Sequence, residues 1–175
     1  MECEPEHALE ILSRTPATLR ALLDGLSNGW THSNHETDPW SPYAVVGHLI
    51  HGEETDWIPR ARIILEHGDA RPFEPFDRFA QFERFHGYTL EQLLETFAQL
   101  RQQNLETLRE MRLAPEQWER QGLHPELGRV TLRQLLAAWV VHDLNHIGQI
   151  VQVMSRQYAE AVGPWKVYLP ILGSS

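Results

Sequence analysis

The chain has 175 residues, 42% of them hydrophobic, and a formal charge of −9 at pH 7. That length buries one sizeable core rather than two, so a single domain over 1–175 is expected. The charge repels phosphate backbones and argues against nucleic acid as a partner. No run approaches the roughly 18–20 apolar residues of a membrane span, and the acidic opening does not read as a secretory signal, so a cytoplasmic protein with no membrane partner is expected.

Cys3 is the one cysteine and lies beside the terminus, so no internal disulfide can support the fold. Leu9, Leu12, Leu19, Leu22, Leu23 and Leu26 recur at helical spacing between Pro5 and Ser27. They predict a first helix, kinked at Pro16 and closed by Gly29. A polar loop follows, and in it His32-x-x-His35-Glu36 reads as solvated side chains rather than a metal site. Ser41 can cap a second helix whose first position is Pro42. That helix runs to about Leu65, bent or broken at Pro59, and ends at Gly68.

Phenylalanines at 73, 76, 79, 82 and 85 recur every third residue behind Pro72 and Pro75, which suits a short or tight helix. Their rings need cover, either across the bundle end or as a pocket wall or dimer contact. Thr89 and Gln92 have capping-box spacing and open a third helix through Leu93, Phe97, Leu100, Asn104, Leu108 and Met111. Asn104 is the odd member of this face, and as a buried asparagine it reads as a satisfied core hydrogen bond. Thr131 and Gln134 repeat the start signal for a fourth helix from Leu132 to about Tyr158. Four helical patterns and no alternating strand pattern predict an all-α four-helix bundle, up-down, with a longer crossover between helices two and three.

His142 and His146 are four residues apart, on the stripe that carries Leu135, Trp139 and Ile150. Two imidazoles buried together are costly without partners, whereas one divalent ion satisfies both. A third ligand is sought on helix two, where His48 is the candidate and His51 its competitor. Three neutral nitrogens would leave positions on the ion open, as in catalytic rather than closed structural sites. His51, Asp143, Asn145 and Gln149 are the polar neighbours able to orient ligands or move a proton. Asp143 is offset by about 100° from the stripe, so a solvated charge is the alternative reading for it. No Gly-x-Ser-x-Gly elbow, phosphate loop or Cys-x-x-Cys pair is present, so serine or cysteine nucleophilic catalysis is not expected.

Trp40-Ser41-Pro42, then Gly47-His48-Leu49 followed by Glu53 and Glu54, then His142-Asp143-x-x-His146-x-x-Gln149-Ile150 resemble the DinB-like, or YfiT-like, superfamily. The resemblance runs from helix one to Gly163-Pro164-Trp165. It implies a four-helix bundle with a metal on His48, His142 and His146, the ion being zinc, nickel, iron or manganese. It also implies a metal-dependent thiol S-transferase using a low-molecular-weight thiol, or a hydrolase, acting on a small molecule, and a homodimer. No residue is assigned as catalytic by this reading. The contrasting reading is a non-catalytic metal-binding or stress-response bundle.

Overall fold

A computed structural model of the protein describes residues 3–33 and 39–173. The expected first helix is two helices, α1 (Pro5–Leu12) and α2 (Thr15–Leu23). Pro16 stands four residues after Leu12 and has no N–H to give the Leu12 carbonyl, so the helix stops and restarts with Pro16 in its first turn. The chain leaves α2 at Asp24 and turns at Gly25 (φ +74°), while Gly29 lies inside the single turn α3 (Asn28–Thr31) instead of closing a helix. His32 hydrogen-bonds the Thr31 hydroxyl at 2.8 Å. His35 and Glu36, the rest of that loop motif, lie outside the described residues.

The second helix begins as read, with the Ser41 hydroxyl accepting the Ala44 N–H at 3.2 Å. It divides into α4 (Pro42–Thr55) and α5 (Trp57–His67) at Asp56, three residues ahead of Pro59. The Pro59 ring would collide with the Thr55 carbonyl in a continuous helix, so the step falls before it and Pro59 sits in the first turn of α5. Gly68 (φ +59°) closes α5.

The crossover then carries α6 (Ala80–Arg84), the only α-helical turn among the five phenylalanines, since Pro72 and Pro75 hold the earlier part extended. Phe73 and Phe85 are buried in the core, Phe76 is half-buried, and Phe79 and Phe82 are exposed. Gly47 lets α6 approach α4 closely, because a Cβ there would stand 3.1 Å from the Phe85 ring.

Capping boxes start α7 (Leu90–Glu110) and α8 (Leu132–Arg156), where Thr89 with Gln92 and Thr131 with Gln134 exchange side-chain and backbone bonds. Between them lies a hairpin that the sequence did not announce, β1 (Gln121–His124) and β2 (Gly128–Thr131), paired from Gln121↔Thr131 to His124↔Gly128. Strands of four residues are too short to display a two-residue period. The Phe73 N–H extends the pairing by donating to the Leu123 carbonyl at 2.9 Å.

α1 with α2, α4 with α5, α7 and α8 form the four-helix bundle, with the long crossover between its second and third members. Its core has two clusters, one around Leu12, Trp57, Ile64 and Trp139 and one around Leu19, Leu49, Phe97 and Ile150. No helix among the described residues is long and apolar enough to cross a membrane.

Two glycines should respond oppositely to alanine. At Gly122 a Cβ would stand 2.6 Å from the Ile64 side chain and 2.8 Å from the Phe73 ring, both of them buried, so Gly122→Ala is expected to cost about 1–3 kcal/mol by overpacking. Gly148, inside α8, has nothing within 4 Å of that position, so Gly148→Ala should stabilise by about 0.5–1 kcal/mol through helix propensity alone. Urea unfolding of the two variants reads both signs.

Candidate metal centre

The three histidines singled out from the sequence come together. His48 on α4 and His142 and His146 on α8 place ring nitrogens within 4.8 Å of one another. The His142 Nε2 lies 3.3 Å from the His48 Nε2 and 3.1 Å from the His146 Nε2. The Trp40 ring meets His48 edge-on at 5.1 Å between centroids, and Trp57 meets His142 in the same way at 5.1 Å. These indoles form apolar walls against the imidazoles.

Burial is the first cause that lowers the basicity of all three imidazoles. With the repulsion of neighbouring cations added, it takes His48 to about 3 and His142 to about 2. His146 is also lowered, and its bond to Gln149 opposes the shift. All three are therefore neutral near pH 7, the form that offers a lone pair. The His146 Nδ1–H donates to the Gln149 Oε1 at 2.7 Å, which leaves the lone pair on Nε2, facing His142.

The triad opens on a cavity of about 1030 Å³ lined also by Asp56, Arg60, Phe76, Arg78, His124, Asn145, Gln149 and Ile171. Asp56 is the residue at the break between α4 and α5, and burial raises its carboxyl to about 6 against the opposing pull of Arg60, whose Nη2 is 2.7 Å from Oδ1. The helix break, unread at that position in the sequence, is what turns this carboxylate toward the same cavity wall as Arg60, four residues on.

The other expected neighbours divide. Gln149 orients His146 as described, and Asn145 is an exposed part of the cavity lining. His51 lies against the Phe76 ring at 4.9 Å and is not part of the three-nitrogen cluster.

Of the two readings of Asp143, the solvated charge is excluded, and its carboxylate acts on the basicity of the neighbouring His146. Asp143 is fully buried, held by both Arg101 Nη atoms at 2.6 and 2.9 Å and by the Thr15 hydroxyl at 2.6 Å. Arg101 also donates to Glu53 at 2.8 Å and to the Leu12 carbonyl at 2.8 Å, the acceptor that Pro16 leaves without a helical partner. The Trp139 indole N–H reaches Glu53 at 3.1 Å, and the Asn104 amide donates to the Glu53 carbonyl at 2.7 Å. One guanidinium thus joins all four helices of the bundle beside the histidines, lying over the Phe97 ring at 4.9 Å and the Trp139 ring at 5.1 Å. Sequence reasoning missed it, although Arg101 follows Leu94 and Phe97 and precedes Leu105 and Leu108 on one helical face. A cation in that stripe was the available signal.

Comparison with known proteins agrees with this architecture. A sequence profile of the DinB superfamily matches residues 11–150. Among solved structures, the chain is similar to YfiT from Bacillus subtilis, described as "a probable metal-dependent hydrolase with an unusual four-helix bundle topology". The TM-score is 0.75 at 22% sequence identity, over 87% of this chain and 87% of that one. The search of curated proteins finds no match. With the profile covering the bundle from the end of α1 to the histidine-bearing part of α8, this chain belongs to the DinB superfamily.

Proposed function

We propose that the protein is a metal-dependent enzyme acting on a small molecule, with one divalent ion held by His48, His142 and His146. The observation that carries this reading is the convergence of three neutral imidazole nitrogens, from two buried histidines and the half-buried His142, at the wall of a large cavity. The spacing fits the group. Two nitrogen ligands about 2.0–2.1 Å from a tetrahedral ion stand about 3.3 Å apart, and the two close pairs here stand at 3.3 and 3.1 Å.

A divalent ion on three neutral nitrogens supplies Lewis acidity at its open positions and lowers the pKa of a water or thiol bound there. The chain supplies the rest. Gln149 fixes the tautomer and aim of His146. Trp40 and Phe76 exclude water from the sides of the cavity and present apolar surface to a substrate. Asp56 is a proton acceptor placed in the same cavity, and its raised pKa makes it a better base than a solvated carboxylate. Hydrolysis of a small substrate and transfer of a low-molecular-weight thiol both need a deprotonated nucleophile and a nearby base, and these residues serve either.

Elemental analysis of protein purified without a histidine tag, followed by hydrolase and thiol-conjugation assays, tests the reading. About one zinc, nickel, iron or manganese per chain is expected. Activity should rise with pH as the Asp56 carboxyl ionises near 6, because its carboxylate is the active form. Asp56→Asn should abolish this rise while leaving the metal bound. Protein that holds no metal under any loading condition would refute the reading, and metal-bound protein without turnover would leave the non-catalytic bundle.

A further inference from the structure

The cavity has a second chemical feature in Arg78, whose charge is felt by His48, and in His124. Its one lining carboxylate among the described residues is Asp56, already matched by Arg60 at 2.7 Å. Arg78 is then left in excess. It is exposed, its guanidinium lies over the Phe79 ring at 5.2 Å, and no carboxylate among the described residues comes within 4.0 Å of it.

His124 adds a fixed donor. Its Nδ1 accepts the backbone N–H groups of Glu126 at 3.1 Å and Leu127 at 3.2 Å, so the ring's proton must be on Nε2. Burial lowers the basicity of this imidazole, which keeps it a neutral donor near pH 7. An arginine without an ion-pair partner among the described residues, at the wall of a cavity, stands out in a chain of net charge −9. A charged side chain kept without a protein partner at a cavity wall is suited to an anion from outside.

We propose that Arg78 and the His124 Nε2–H form an anion subsite, so that the substrate carries a carboxylate or phosphate group in addition to the group acted on at the histidines. This substrate class rests on the proposed function. The anion subsite itself depends only on the cavity wall. The planar guanidinium can take two oxygens of either anion side by side, while His124 supplies a third hydrogen bond. With about 1030 Å³ available, the cavity has room for a small molecule that reaches both the histidines and this wall.

Calorimetric titration of the full chain with succinate and with inorganic phosphate, in metal-free and zinc-loaded forms, tests the subsite. Binding should persist without metal and weaken with added salt. Arg78→Ala should reduce affinity for the preferred anion about tenfold or more, since a charge-assisted bond is lost. Arg78→Lys should restore part of it. His124→Asn keeps an acceptor for the two backbone N–H groups but lacks the Nε2 donor, and a loss of a few-fold is expected.

Zinc affinity should be unchanged in His124→Asn and should not fall in Arg78→Ala, which removes a positive charge that lowers the basicity of His48. Tighter binding of succinate than of phosphate would assign a carboxylate substrate, and the reverse a phosphate ester. Equal affinity of wild type and Arg78→Ala for both anions, or equal binding of uncharged succinamide and succinate, would overturn the subsite whether or not zinc binds. Failure of zinc to bind, with Arg78-dependent anion binding intact, would instead remove the metal reading and leave the subsite.

Discussion

Arg101→Met is expected to be the most damaging single substitution in the bundle, costing about 3–5 kcal/mol, because it orphans buried charge rather than removing a contact. Asp143 and Glu53 are both within 2% of full burial, and Arg101 is their shared cationic partner. Burial already pushes the Glu53 carboxyl above its usual range despite Arg101, so removal of the guanidinium leaves only neutral donors, Asn104 and Trp139, to oppose that push. The Leu12 carbonyl would lose its donor as well.

Urea unfolding measures the loss. Adding Asp143→Asn and Glu53→Gln to Arg101→Met should recover a large part of it, since neutral amides do not carry the uncompensated charge. A loss below about 1 kcal/mol for Arg101→Met would place the guanidinium among ordinary surface pairs and refute the role assigned here.

His142→Ala and His146→Ala are each expected to abolish metal binding, whereas Cys3→Ala should change nothing. Two imidazoles compete poorly with water for a labile divalent ion, so the loss should be large rather than graded. A ligand that binds only the folded state stabilises it by about 2.7 kcal/mol at one hundred times its Kd. For a chain of this length that corresponds to a rise in Tm of roughly 5–10 °C. Calorimetric melting with and without zinc should show the rise in the wild type and in Cys3→Ala and no shift in the two histidine variants. Equal shifts in all four proteins would mean that the ion is bound elsewhere.

The helices were legible because their signals are local. Ser41 before Pro42, Thr89 with Gln92 and Thr131 with Gln134 satisfy the same backbone N–H groups in the structure that their spacing promised. Helix breaks were less legible. Pro16 and Pro59 were recognised, but where each helix actually parts depends on the carbonyl four residues upstream and on what takes its hydrogen bond. For Pro16 that partner is Arg101, which comes from 89 residues further along the chain. The hairpin was invisible because its strands are stabilised by Ile64 and Phe73 packed against Gly122, not by any period of their own.

By itself the sequence determined the bundle class, the start of each long helix and the pairing of His142 with His146 on a core face, all of which follow from spacings of three and four residues. It also put His48 on the facing helix, with His51 one turn away as its rival. Only the tertiary structure brought His48 and not His51 to the other two nitrogens, since the choice depends on the rotation of α4 against α8. The same packing decided Asp143. Its position on the helix wheel left a solvated charge as the alternative, but the break after Leu12 and the reach of Arg101 closed the bundle over it and made it the most buried acid in the core.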